Sequence, residues 1–323
     1  MKYMSIKNDY KKTEVLSLII NNISEYVTEI CKFDSKLQRN GFDKNEVLLF
    51  RGQPDENYEL LPAMGRNMKS VSILYEERNL IEMAKNKMPD IFHNGLSPVE
   101  LLALLQHHGI PTRLLDITEN SLVALYFACS SEPSKNGEVI VFKKNELDIA
   151  TYPMINAIAE SYKYAAGSLT LLGLFYGNVK NQPYFLEQKQ GNEICYKTNE
   201  EGGNWVAECC KKPQFIYAPI RSIRQQIQQG RYILFPNHIE EYGKDDKKKK
   251  KYFVNSIDAI SKNNEDILSL IEIPAEKKKE ILYELRLFGI CEEILFCDNI
   301  DIVCKNIKNT FDRKLNGNLF SST

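Results

Sequence analysis

Apolar residues recur at three- and four-residue steps through Val15, Leu16, Ile19, Ile20, Ile23, Tyr26, Val27 and Ile30, which predicts an amphipathic helix over residues 13–32. A polar stretch at 34–45 containing Gly41 reads as a linker. Residues 47–50 form a short apolar strand that ends on Arg51-Gly52-Gln53, and Pro54-Asp55-Glu56-Asn57 is a turn by composition. Residues 71–92 read as a helix. The next start is explicit: Ser97 caps, Pro98 fits the first helical position and Glu100 completes a capping box. Gly109 sits where a left-handed terminus belongs and Pro111 blocks continuation, so this helix covers residues 98–108. Residues 112–117 are extended, Thr118 or Asn120 caps a further helix to Cys129, and 137–142 is a strand. The pattern from 148 to 208 is mixed and reads as an insertion. Strands are expected at 214–220 and 231–235, a solvated lysine loop at 244–251, and a helical pair at 274–304 turning at Gly289.

Seven polar residues, Gln106, His107, His108, Thr112, Arg113, Asp116 and Thr118, crowd the joint between the two apolar elements on either side of Pro111. Joints between rigid elements are where sites are usually built. The net charge of −1 gives no global field to hold nucleic acid, although a local patch is compatible with it. The eight cysteines include no C-x-x-C pair and read as reduced, mostly buried thiols. The start has no apolar signal core, and the sequence has no run of about 18 apolar residues, so a cytoplasmic protein with no membrane partner is expected. The many Lys, Asn and Ile residues suit an AT-rich bacterial or phage gene. Walker, G-x-G-x-x-G and G-x-S-x-G motifs are absent from the sequence, as are metal-ligand spacings, so no metal is expected.

Phe50-Arg51-Gly52 is the triplet that names the FRG domain, and the chain resembles that family well beyond it. Gln53, Leu61-Pro62 and Arg66 match the continuation. Leu102-Ala103-x-Leu105-Gln106-His107-His108-Gly109-Ile110-Pro111-Thr112-Arg113-Leu114-Leu115-Asp116 matches the family's longest motif, continuing through Thr118, Asn120 and residues 122–128. Arg224, Gln228-Gln229-Gly230 and Tyr232 are similar to a later R…QQG-x-F motif, and Leu285, Gly289-Ile290 and Leu295-Phe296 to the closing helices. The chain departs from the pattern at Ile117, where an aromatic is usual, at Ser222 for Asn, and at Ser121 for Pro.

The resemblance implies a remote likeness to the ADP-ribosyltransferase fold, in which a split, bent mixed sheet holds NAD in a cleft. It also implies toxin or phage-defence contexts. Fold-level analogy does not establish activity. Arg51 would clamp the dinucleotide, because a guanidinium grips a pyrophosphate with two parallel bonds. The alternative is a structural ion pair with a carboxylate such as Asp116. Gly52 would let a ligand approach the backbone. Asp116 would orient a ribose hydroxyl or stabilise an oxocarbenium-like transition state, or else pair with Arg113, Arg51 or Arg66. Gln106, His107, Arg113, Thr118, Gln53 and Arg224 would line the cleft, and either His107 or His108 would orient the loop by hydrogen bonding. Gln229 would take the late-strand position that usually carries a glutamate. An amide there holds a hydroxyl but supplies no negative charge.

The expected fold is therefore α+β: a small bent, split mixed sheet flanked by helices, with an N-terminal helix and a C-terminal helical extension. Its domains are a helical segment at 1–45, an FRG domain at 46–243 with the insertion, and a lysine-rich loop with packed helices at 244–323. The expected function is an NAD-dependent ADP-ribosyltransferase or NAD-consuming effector, with NAD as substrate, Arg51, Asp116 and Gln229 in the catalytic set, and a protein or nucleic acid as acceptor. A regulatory partner also belongs to this expectation. The alternatives are a non-catalytic module that binds a nucleotide or protein, and a nucleic-acid-directed effector motivated by the lysine run with Arg221, Arg224 and Arg231.

Overall fold

A computed structural model describes residues 15–39, 47–68, 71–144, 148–149, 152–165, 167–187, 193–219, 222–243 and 249–319. In chain order the elements are β1 (Leu16–Ile19), α1 (Ile23–Arg39), β2 (Val47–Gln53), β3 (Asn67–Met68), β4 (Val71–Ser72), α2 (Glu77–Lys87), α3 (Pro98–His107), β5 (Leu114–Thr118), α4 (Ser121–Cys129) and β6 (Gly137–Lys144). There follow β7 (Asp148–Ile149), α5 (Pro153–Ala159), α6 (Ser161–Tyr164), β8 (Leu169–Leu171), α7 (Leu172–Val179), α8 (Pro183–Leu186), α9 (Asn199–Cys209), β9 (Gln214–Tyr217), α10 (Ile223–Ile227) and β10 (Gly230–Leu234). The last elements are β11 (Ile239–Tyr242), β12 (Lys250–Val254), β13 (Ile267–Ile273), α11 (Lys278–Leu287), α12 (Glu292–Leu295) and α13 (Ile300–Leu319). The chain divides into two interleaved compact units, one of Met1–Tyr58, Thr118–Glu146 and Ser261–Thr323, the other of Glu59–Ile117 and Leu147–Ile260.

The first unit holds strands in the order β1-β13-β6-β2. β1 runs parallel to β13, while β13 pairs antiparallel with β6 and β6 with β2, so the sheet is mixed. β6 is buried along Gly137–Phe142 on both faces, which is why Val139–Phe142 is a continuous apolar run. α4 is apolar on every side because it is covered on every side: it packs on β2, β6 and α11. β2 approaches it so closely that a Cβ added at Gly52 would stand 1.8 Å from the Ala124 carbonyl oxygen. At the start of α11, the buried Lys278 donates to the carbonyl oxygens of Pro54 (2.6 Å), Ser131 (3.2 Å) and Glu132 (3.0 Å), tying two loops to the helix.

The second unit holds strands in the order β5-β10-β9-β7, with β10 antiparallel and β7 parallel to β9. A separate antiparallel sheet has the order β11-β12-β8. The core is contributed by α3, α5 to α9 and the strands, with Leu102, Leu105, Phe175, Tyr176, Val206 and Ile216 all fully buried. Both units are α+β with mixed strand pairing.

Several expectations change. The helix expected over 13–32 is a strand, then a helix. Leu16–Ile19 pairs with β13, and α1 begins at Ile23 because Asn22 caps it: Glu25 N–H donates to Asn22 Oδ1 (2.9 Å) while Asn21 N–H donates to the Glu25 carboxylate (2.8 Å). Residues 13–14 lie outside the described residues. α1 continues to Arg39, into the stretch expected as a linker, whose residues 40–45 also lie outside. In the lysine loop, 244–248 lie outside, and Lys250 and Lys251 already belong to β12. β13 replaces part of the region read as loop and helices, and its alternating burial from Ile267 to Ile273 is the period-2 pattern of a strand.

Gly52→Ala is expected to lower the stability of the whole chain by about 1–3 kcal/mol through overpacking against α4, read as a fall in the urea midpoint. A midpoint unchanged from wild type would mean that β2 and α4 are not in this close contact.

Candidate functional site

α3 ends at the joint that the sequence singles out. Ser97 Oγ accepts from Glu100 N–H, the Glu100 carboxylate accepts from Ser97 N–H, and Pro98 occupies the first turn. At the other end Gly109 has φ +80°, Gly109 N–H donates to Gln106 O (2.9 Å) and Ile110 N–H to Leu105 O (3.0 Å). This is a Schellman terminus, and it reverses the chain after His108. Thr112 Oγ1 then donates to Gln106 Oε1 and accepts from Leu114 N–H (3.2 Å), so the Gln106 side chain serves the joint itself. His107 is half-buried with its ring edge-on to His108, which in turn meets Phe92 edge-on.

Arg113 has a different task from the one expected of it. It is 1% exposed, and its partner Glu77 on α2 is 2% exposed. Nε donates to Glu77 Oε1 at 2.7 Å and Nη2 to Glu77 Oε2, while Nη1 donates to Phe235 O (3.2 Å) and Asn237 Oδ1 (3.1 Å). Four of its N–H donors are thereby held by buried protein groups, so Arg113 fastens the joint and has little to offer a ligand. Asp116, three residues on, is the one exposed residue in an otherwise buried β5.

Facing the same chemistry from β10 is Tyr232. Burial raises its phenol far above the usual range; the charge of Asp116 pushes the same way and that of Arg224 opposes it. Asp116 and Arg224 therefore both act on one buried hydroxyl in the second unit. Arg224 lies on α10. Ser222, the family-variant position, caps this helix, with Gln225 N–H donating to Ser222 Oγ at 3.0 Å. Gln229 is not on the strand. It precedes β10 in a left-handed turn with φ +48°, exposed, and Gly230 opens the strand. A non-glycine residue in that region carries strain of about 1 kcal/mol or more. The opposite face of β10 sets Arg231 over the Tyr217 ring, 4.5 Å from its centroid. Arg221 lies outside the described residues.

Arg51, Gly52, Gln53 and Thr118 belong to the first unit. Period-2 alternation puts Arg51 on the face shared by Leu49 and Gln53, away from α4. Gly52 was expected to admit a ligand, but its open side is filled by α4. Gln53 is buried and donates through Nε2 to Tyr58 O (2.9 Å) and Glu138 Oε2 (2.9 Å). Glu138 also accepts from Lys262 Nζ at 2.6 Å. Burial raises the Glu138 carboxyl above its ordinary value, against the lowering effect of Lys262 and Gln53. Thr118 is paired with Phe50, and its Oγ1 accepts from Asn120 N–H (2.9 Å), while Asn120 caps α4 through Leu122 and Val123.

The structure thus gathers Asp116, Arg224 and Tyr232 in one unit, together with Gln106, His107, Arg113 and Gln229, and it holds Arg51, Gly52, Gln53 and Thr118 in the other. Sequence reading missed Glu77, Asn237, Glu138, Lys262 and Lys278. Only Glu138 carried a signal, as a charge inside the apolar run at 137–142. Among the described residues no group of three or more His, Cys, Asp and Glu side chains is placed to hold a metal ion, and no helix is long and apolar enough to cross a membrane.

In comparisons with known proteins, residues 46–137 match the family described as the FRG domain. Neither the curated proteins nor the solved structures returned a match.

Two outcomes follow from the buried charges. Glu77→Ala leaves Arg113 uncompensated and is expected to cost about 3–5 kcal/mol in urea unfolding; a loss below about 1 kcal/mol would remove Arg113 from its fastening role. For Glu138 the folded carboxyl titrates above the unfolded one, so its contribution is present at low pH and is lost as pH rises through the folded value. Glu138→Gln should therefore gain stability relative to wild type as pH is raised from 4 to 7, in melting curves at each pH. A difference independent of pH would mean that Glu138 is not titrating against its burial.

Proposed function

Residues 46–137 are an FRG domain, and on that premise we propose that the protein binds NAD and transfers or releases its ADP-ribose, as an intracellular effector with an ADP-ribosyltransferase-like fold. The observation that carries this reading is Asp116: a carboxylate turned to solvent from a buried strand, within electrostatic reach of the Tyr232 hydroxyl on which Arg224 also acts. In such a reaction the bond between the nicotinamide nitrogen and ribose C1′ breaks. Its electron pair leaves with nicotinamide, and the sugar ring takes on positive charge. An acceptor nucleophile adds at C1′ and gives up its proton. Fixed negative charge beside the ring lowers that barrier, and removing one such group commonly costs about 10²–10³ in rate. Asp116 is the group assigned to this task. Arg224, in the same unit as Asp116, is assigned to the phosphates, where a guanidinium can make paired hydrogen bonds. Tyr232 would hold a ribose hydroxyl. The acceptor would be a protein or a nucleic acid, and toxicity or phage defence is the setting in which such a reaction would serve.

A second reading, a non-catalytic nucleotide-binding module, draws on Gln229. An amide on a turn stands where a transferase would need a carboxylate on a strand.

The test is incubation of the whole chain with labelled NAD, with and without cell lysate, following nicotinamide release and label transfer. Wild type is expected to release nicotinamide, Asp116→Asn to be slower by about 10²–10³, and Arg224→Ala to lose most activity, both variants melting within a few degrees of wild type. Label on a macromolecule makes the protein a transferase; release alone makes it a glycohydrolase. A folded wild type that is stabilised by NAD without turnover selects the binding module. Turnover undiminished in Asp116→Asn removes the central assignment.

A further inference from the structure

α13 has two faces, and the more apolar one is turned to solvent. Ile302, Val303 and Asn306 are half-buried and mark the side packed toward α12. On another side lie Ile300, Cys304, Ile307 and Phe311, spaced by four, three and four residues. That spacing repeats every 3.5 residues, the seam of a coiled coil and not the broader stripe of a helix lying on a core. Every member is exposed: Ile300 by 75%, Ile307 and Phe311 by 64% each, and Cys304 as well. Single exposed hydrophobics are ordinary, but four in this register over Ile300–Phe311 form a contiguous apolar seam on α13.

The charges beside the seam identify which helix. Asp301 and Lys308, both exposed, occupy equivalent positions on the same flank, seven residues apart. In a parallel pair this flank would face the partner helix's other flank, where Val303 stands, and neither charge would meet its opposite. In an antiparallel pair, Ile300 packs against Phe311 and Cys304 against Ile307, and this flank faces itself. Asp301 then meets Lys308 of the partner subunit, twice over by the twofold axis. The seam is self-complementary in apolar order and in charge, which is the requirement for an isologous contact.

We propose that α13 associates with α13 of a second copy of this chain as an antiparallel pair, through Ile300, Cys304, Ile307 and Phe311, with Asp301 and Lys308 setting the orientation. Two isoleucines, a phenylalanine and a cysteine, each largely exposed, make a small contact surface on each copy. That is below the roughly 800 Å² per partner of a standard stable interface, so association is reversible and depends on concentration.

Sedimentation velocity of the whole chain, from low to high micromolar, reads this directly. The mass is expected to rise from monomer to dimer across the range. Ile307→Glu, at an exposed position, should hold the chain monomeric with its melting temperature unchanged. Asp301→Lys and Lys308→Asp should each weaken association by about fivefold, and the double exchange should restore it. A monomer at every concentration overturns the proposal, as does a dimer that survives Ile307→Glu. A dimer indifferent to the charge exchange overturns the antiparallel arrangement.

Discussion

The buried pairing of Arg113 with Glu77 is the interaction on which the second unit depends. A guanidinium and a carboxylate taken out of water are stable only when nearly every donor and acceptor is used, and here α2 and the segment after β10 supply the partners of Arg113. Asn237 extends the arrangement by donating to Val254 O (3.0 Å), so β12 is held to the same centre. The fixed orientation of Arg113 also fixes its neighbours in β5. Because a strand alternates sides, the residue that anchors the joint and the residue that faces solvent are set together.

The first unit answers a similar demand with lysine. Lys278 binds three carbonyl oxygens and Lys262 binds Glu138 together with Glu56 O. An ammonium is a compact charge that can satisfy loops approaching from several directions, whereas the planar fork of arginine suits a carboxylate presented edge-on. The two units thus use the two cations according to the geometry around each.

What could be read from the chain was the chemistry that acts within a few residues. Ser97, Pro98, Glu100, Gly109 and Asn120 announced both ends of the joint, and the structure uses each as a cap or terminus. The FRG match at 46–137 includes the same stretch. What depended on distant partners was silent. Glu77 is indistinguishable from its neighbour Glu76 until Arg113 is beside it. Leu16–Ile19 carries a helical spacing that pairing with β13 overrides. In 148–208 the helices are apolar on most sides, and α9 contains Gly202, a helix-weakening residue retained where a Cβ would stand 2.1 Å from the Tyr176 ring. Gln229 misled for a related reason: with Gly230 next to it, the glycine looks like the left-handed residue, yet the glutamine holds that conformation.

The interleaving of the two units has a consequence for how the chain is made. Leu16 lies beside Ser269, so β1 leaves the ribosome long before its partner strand exists. At about 5–20 residues per second the wait is roughly 13–50 s, far longer than a helix or a hairpin takes to form. The second unit closes across the Leu60–Ile260 bridge just ahead of the chain that completes the first. Synthesis therefore imposes an order: the unit that contains Asp116 can consolidate while the unit that contains Arg51 is still waiting for its third segment.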